Sequence, residues 1–275
     1  MVRMKPLKNR PHVLVFDSGL GGLSVVNAIV NARLGVDLFH LADTAFFPYG
    51  EKADGDLIIR VPRVIRAGIE AVSANLVIIA CNTASTLALD VVRGQVDIPV
   101  VGVVPAIKPA AAKTQTGTIG LLATPKTVTR PYTDQLIAQF AKGNTVLRHG
   151  AVGLAGAAEA KLAGETPDPS IFKASMAGIF NQEGGETVDV IVLACTHYPL
   201  VQAELEAWAP RLVTWVDSGE AIARRTAFLL EGQLDTDAPM LRTGLTTGGK
   251  DEATRRVLSD FGFQSTQVLS VKSQL

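Results

Sequence analysis

The chain has 275 residues, 47% of them apolar and 19% charged, with 25 glycines and 14 prolines. This is the composition of a folded globular protein of one large or two small domains, and it excludes a disordered, collagen-like or coiled-coil chain. Twenty-six basic residues balance twenty-six acidic ones, so the positive footprint of a non-specific nucleic-acid binder is not expected, and a small-molecule ligand is the better expectation.

Two cysteines are too few for a disulfide framework, and no apolar run reaches the ~18 residues of a membrane span. The short basic start runs into Asp17-Ser18-Gly19 without the apolar length of a signal peptide. The expected compartment is the cytoplasm, with neither membrane nor nucleic acid as a partner.

In chain order, apolar runs of strand length at 13–16, 36–39, 76–79 and 100–103 alternate with amphipathic stretches at 23–32, 57–72 and 85–92. A second series of runs follows at 119–122, 146–147, 190–193 and 212–216, with helical patterns at 132–140, 154–162 and 221–230. Strand and helix in alternation predict an α/β fold, with mainly parallel sheets covered by helices on both faces.

The programme runs twice. Asn75-Leu76-Val77-Ile78-Ile79-Ala80-Cys81-Asn82-Thr83 reads against Asp189-Val190-Ile191-Val192-Leu193-Ala194-Cys195-Thr196-His197: a polar residue, four apolar ones, Ala-Cys, then a hydrogen-bonding pair. The expectation is two similar domains, pseudo-symmetric about a cleft between them. Pro99, Pro105 and Pro109 bracket the crossing into the second, and Trp215-Val216-Asp217-Ser218-Gly219 is the crossing back. Patterns at 241–246, 252–260 and 267–271 are too little to stand alone and are assigned to the first. The domains are then 1–103 plus 217–275, carrying Cys81, and 104–216, carrying Cys195. The stretch 163–169, rich in turn formers, is the clearest surface loop.

In open parallel sheets, ligands gather beyond the carboxyl ends of strands, and both cysteines lie at such ends. A strand-end cysteine is often an inert buried hydrophobe, but the chain's two cysteines fall at matched positions of a repeat, each followed by polar residues. A disulfide is weak in a reducing compartment without C-x-x-C spacing. Four histidines and no zinc-type spacing argue against a metal. A lone Cys195–His197 nucleophile leaves Cys81 unexplained. A two-base proton transfer uses both thiols, because inverting a stereocentre needs one group to remove the proton and another to supply it on the opposite face. A free thiol titrates near ~8.5, so small local shifts can leave one thiolate and one thiol at neutral pH.

Asp17, Glu159 and His197 are the candidates for setting those protons. Equally, Asp17 could cap the helix after Gly22, and Glu159 could be an exposed residue of its helix. The loop Ser18-Gly19-Leu20-Gly21-Gly22 has Ser24 where a dinucleotide fingerprint needs its third glycine, and no Gly-Lys-Ser/Thr occurs. Its N–H groups could still serve an anion such as a carboxylate.

Four strings, Phe16-Asp17-Ser18-Gly19-Leu20-Gly21-Gly22, Pro48-Tyr49-Gly50, Ala80-Cys81-Asn82-Thr83-Ala84 and Cys195-Thr196-His197-Tyr198-Pro199-Leu200, resemble in order and spacing the motifs of the glutamate racemase family, within the wider aspartate/glutamate racemase group. Gly102-Val103-Val104-Pro105, Ala123-Thr124-Pro125, the Glu159 segment and Val216-Asp217-Ser218-Gly219 fit as well. The resemblance implies racemisation of L- and D-glutamate by a Cys81/Cys195 pair, with no cofactor, pyridoxal phosphate or metal. Cys81 would serve D-glutamate with help from Asp17. Cys195 would serve L-glutamate with help from Glu159 and His197, Glu165 being the alternative acid. Asp17, Ser18, Tyr49, Gly50, Asn82, Thr83, Thr124, Thr196 and His197 would hold the substrate. D-glutamate made in this way would enter peptidoglycan precursors, and a homodimer is compatible with the family. Two other readings stay open: a racemase of aspartate or another amino acid, and a catalytically silent protein that binds an amino acid or a partner in the same cleft.

Overall fold

A computed structural model describes residues 10–236, 239–249 and 252–271. Strands β1 (His12–Asp17), β2 (Asp37–Ala42), β3 (Leu76–Ile79) and β4 (Val100–Gly102) alternate with helices α1 (Leu23–Asn31), α2 (Asp54–Val72) and α3 (Asn82–Arg93). Helix α4 (Ile107–Lys113) leads into β5 (Thr118–Ala123), α5 (Pro125–Val128), α6 (Pro131–Phe140), β6 (Thr145–Gly150), α7 (Leu154–Leu162) and α8 (Pro169–Phe180). Then come β7 (Val190–Ala194), α9 (Gln202–Trp208) and β8 (Thr214–Val216), and the tail adds α10 (Gly219–Leu229), β9 (Arg242–Thr246), α11 (Glu252–Asp260) and β10 (Ser265–Val268).

The strands form two sheets, in the orders β10-β9-β2-β1-β3-β4 and β6-β5-β7-β8, with every pair parallel. The fold is α/β, as the alternation predicts. The inner four strands of the first sheet, β2-β1-β3-β4, have the same order as the four of the second, so the repeat seen in the cysteine segments is a repeat of topology. The tail strands extend the first sheet beyond β2.

Side chains alternate across each strand, so both faces of both sheets must be apolar to carry helices. In the first sheet Val13, Val15, Leu76 and Ile78 enter one buried cluster, and Leu14, Phe16, Val77 and Ile79 enter another. In the second, Ile119, Leu121, Val190 and Val192 face one way, and Leu122, Ile191 and Leu193 the other. Each sheet with its helices is therefore a lobe with its own core. Ser218 donates its hydroxyl proton to the Val104 carbonyl at 2.6 Å, which ties the two crossing segments together.

Some elements differ from expectation. The run at 212–216 becomes a strand only from Thr214, since Leu212 is fully exposed. Helix α1 begins after Gly22, its N-cap residue, with no side-chain cap, so Asp17 is not its cap. Helix α8 was not expected from periodicity; Asp168 caps it by accepting the Ser170 N–H at 2.8 Å, with Pro169 in its first turn. No described helix is long and apolar enough to cross a membrane.

Candidate active site

Parallel register decides which residues leave the sheets together. Asp17 pairs with Ala42 and Phe16 with Ile79, so Ser18, Asp43 and Cys81 emerge at one edge of the first sheet. Ala123 pairs with Ala194 and Gly150, so Thr124, Cys195 and Ala151 emerge at one edge of the second. The edges converge on a narrow cavity of about 20 Å³, room for roughly one water molecule. The first lobe lines it with Ser18, Phe47, Tyr49, Gly50, Cys81, Asn82 and Thr83, and the second with Thr124, Ala155, Cys195, Thr196 and His197.

Cys81 is the residue from which α3 starts, and its Sγ lies 3.8 Å from Ser18 Oγ. Asp17 sits behind this pair, fully buried. It accepts the Ser18 N–H at 2.7 Å and, from the other lobe, the Thr196 hydroxyl at 3.0 Å. Burial pushes the Cys81 thiol up, and the Asp17 charge adds to it; the Ala84 N–H and the Ser18 hydroxyl oppose without reversing the shift. Cys81 therefore keeps its proton at neutral pH.

Cys195 has a different neighbour. Its Sγ lies 3.8 Å from His197 Nδ1, and His197 Nε2 lies 2.8 Å from Glu159 Oε1 on α7. The Leu20 N–H of the opposite lobe donates to that oxygen at 2.6 Å, and the Gly21 nitrogen approaches Nε2 at 3.1 Å. Burial alone would push His197 down, but its hydrogen bonds to Cys195 and Glu159, with their charges, raise it well above its ordinary value. Burial likewise acts to raise Glu159, and the hydrogen bond and charge of His197 reverse this and lower it. An ionised Glu159 accepts the Nε2 proton, so in the neutral ring Nδ1 carries the lone pair facing Cys195. In the charged ring that the raised value favours, Nδ1 holds the proton it shares with Cys195, so ring and thiol exchange one proton across this contact. Glu159 is thus not the exposed helix residue of the alternative reading, whereas Glu165 is exposed beyond the end of α7.

Among the residues expected to hold substrate, Thr83 and Thr124 face each other across the cleft, 3.4 Å between hydroxyl oxygens. Asn82 has a buried Oδ1 without a hydrogen-bond partner among the described residues, an acceptor free for an ammonium group. Tyr49 is arranged otherwise: its hydroxyl donates to Asp43, which also accepts two bonds from Arg60 at 2.6 Å and one from the Thr247 hydroxyl. Tyr49 therefore borders the cavity with its phenol proton already committed. Asp43, Arg60 and Thr247 were missed in the sequence; the one signal was that Asp43 directly follows β2, beside the ends of β1 and β3. Phe47 was missed too, although it precedes Pro48-Tyr49-Gly50, and its ring packs on His197 with centroids 5.6 Å apart. Among the described residues no group of three or more His, Cys, Asp or Glu is arranged to hold a metal ion.

A glutamate racemase of Sphingopyxis alaskensis is 50% identical over 221 residues, 80% of this chain and 82% of that protein. A glutamate racemase of Escherichia coli K12 is 42% identical over 270 residues, 97% and 94% of the two chains. The crystal structure of Escherichia coli glutamate racemase in complex with L-glutamate and the activator UDP-MurNAc-ala superposes with a TM-score of 0.86 at 41% identity, covering 96% of this chain and all of that one. The family model for Asp/Glu/Hydantoin racemase matches residues 18–226, a span that contains both cysteines, Glu159 and His197, and on these likenesses the chain belongs to the Asp/Glu/Hydantoin racemase family.

Proposed function

We propose that this racemase interconverts L- and D-glutamate by proton transfer between Cys81 and Cys195, with no cofactor. The observation that carries the reading is the pair of buried thiols at matched strand ends beside one cavity, each with a different supporting group. Named glutamate racemases among the relatives and L-glutamate in the Escherichia coli structure support the substrate.

In the L-to-D direction His197 Nδ1 takes the Cys195 proton, and Glu159 stabilises the resulting imidazolium. The Cys195 thiolate then removes the α-proton, breaking C–H and forming S–H. Cys81 gives its proton to the opposite face of the carbon, breaking its own S–H. The reverse direction runs the same steps backward, with Asp17 next to Ser18 as the carboxylate nearest Cys81. A positioned acid–base pair contributes about 10²- to 10⁴-fold. Oriented hydrogen bonds from Ser18, Thr83 and Thr124, with the Thr196 hydroxyl, whose proton is given to Asp17, as an acceptor for the ammonium group, supply the remainder in a site closed to water. Within the same reading, two domains divide at 1–103 plus 217–275 and 104–216, the enzyme works in the cytoplasm with its thiols free, D-glutamate feeds peptidoglycan precursors, and a homodimer is to be checked by light scattering.

The test is incubation of the protein with L-glutamate, and separately L-aspartate, in D₂O, with circular dichroism and α-proton exchange followed together. Loss of optical activity with deuterium uptake for glutamate alone is expected, and Cys81→Ala and Cys195→Ala should each lower racemisation by at least about 10³-fold with the fold intact. Activity on aspartate alone changes the substrate. Binding without exchange, or substantial activity in either variant, overturns the two-base scheme.

A further inference from the structure

The glycine-rich loop at 18–22 has no nucleotide to cradle, yet its glycines are demanded by contact. A Cβ on Gly19 would lie 2.3 Å from Glu159 Oε1, one on Gly21 2.4 Å from His197 Nδ1, and one on Gly22 2.8 Å from the His40 ring. None of these three glycines is among those with positive φ. The turn itself therefore accepts any residue, and it is the absence of a side chain that matters. At Gly19 and Gly21 the space a side chain would fill is taken by the pair that faces Cys195, and at Gly22 by His40.

The loop also gives that pair one N–H donor and a close backbone contact. Leu20 N–H donates at 2.6 Å to the Glu159 oxygen that accepts from His197, and the Gly21 N–H abuts Nε2 at 3.1 Å. The imidazole is held between this loop and the Phe47 ring. The loop belongs to the first lobe, whereas Glu159, His197 and Cys195 belong to the second. The titratable groups facing the pair are Cys195 from its own lobe and His40 of β2, which burial pushes below its ordinary value and leaves neutral.

We propose that the 18–22 loop is a cross-cleft clamp: its Leu20 N–H holds Glu159, and the close approach of the Gly21 backbone backs the His197 ring against Cys195, so that the base for Cys195 is complete only when the lobes are closed. About 20 Å³ of free space does not admit an amino acid, so the lobes must part for substrate to enter. Parting breaks the Leu20–Glu159 and Gly21–His197 contacts along with the Asp17–Thr196 bond. Closure over the substrate remakes them, and Cys195 can then hand its proton to His197 only inside a sealed site.

The proposal rests on the racemase reading, and its test separates the two. Gly21→Ala and Gly19→Ala are assayed from L-glutamate at about pH 7 and about pH 9, beside the parent protein. Expected is a kcat at least about 10-fold lower near pH 7, with KM within about twofold and Tm within about 2 °C. The deficit narrows near pH 9, where hydroxide takes over the proton removal that a displaced imidazole no longer performs. A parental rate, or a deficit equal at both pH values, overturns the clamp; a parent protein without racemisation overturns the proposed function instead. Should both variants fail to fold, ¹⁵N-imidazole NMR of the parent decides. Saturation with α-methylglutamate, which has no α-proton to lose, is expected to move the His197 titration to higher pH, and an unmoved titration overturns the clamp.

Discussion

His197 shows how one residue's surroundings set its chemistry. Its folded-state value is raised above the ordinary 6.5, so the charged ring favours folding. That contribution is complete below about 6.5 and is lost as pH rises through the raised value. Glu159 has the opposite sign: its value is lowered from 4.5, so its contribution is present above about 4.5 and is lost as pH falls through the lowered value. His197→Asn should therefore lower Tm most between about pH 4.5 and 6.5, with the gap to the parent closing in the alkaline range. A gap constant across a thermal-melt series in pH would assign His197 a packing role only. The two thiols and His197 were legible as chemistry because cysteine and histidine are rare in this chain. Asp43 was not, because an aspartate at a strand end reads as a turn former until Arg60, Tyr49 and Thr247 converge on it.

Elements succeed or fail by how closely they pack. Helix α2 lies on the first sheet through Gly68, where a Cβ would come within 2.6 Å of a Leu41 methyl carbon and 2.9 Å of one of Leu14. Both leucines are fully buried in the core. Gly68→Ala would gain up to about 1 kcal/mol in helix propensity, against about 1–3 kcal/mol for overpacking. A net loss of about 1 kcal/mol is expected in urea unfolding; an unchanged midpoint would mean that the leucines give way. The same dependence on partners explains the elements that periodicity missed. Helices α4 and α9 have only seven residues each, too short for a 3.6-residue pattern to declare itself. Helix α8 is apolar around much of its surface but carries the start signal Asp168-Pro169, and capping chemistry would have found it where periodicity did not.

At the scale of the molecule the two lobes meet at the site and again at the rim. Arg130, at the start of α6, forms a two-pronged bond at 2.9 Å with Asp54 at the start of α2. Lys126 of α5 donates to the Lys52 carbonyl and lies 3.7 Å from the same carboxylate. The hydrogen bond from Arg130, with burial working against it, holds the Asp54 carboxyl below its ordinary value. Exposed pairs of this kind are worth up to about 1 kcal/mol and are screened by salt. Arg130→Ala should raise KM for the amino acid by about two- to fivefold at low salt, leave kcat unaltered, and lose its effect near 0.5 M salt, on the order of a 4 Å screening length. An unchanged KM in dilute buffer would remove this bridge from any part in closure.

The sequence by itself determined the alternation of strand and helix, the internal repeat and the placing of Cys81 and Cys195 at equivalent strand ends. These follow from side-chain periodicity and from matched order along the chain, both local properties. Only the tertiary structure decided that β9 and β10 join the first sheet at its β2 edge, that Tyr49 commits its hydroxyl to Asp43, and that Glu159 rather than Glu165 stands behind His197. It alone brought Leu20 and Gly21 onto that pair. Contacts between residues 139 and 176 positions apart leave no periodic trace in a single sequence, because the geometry that creates them is the docking of two independently packed sheets.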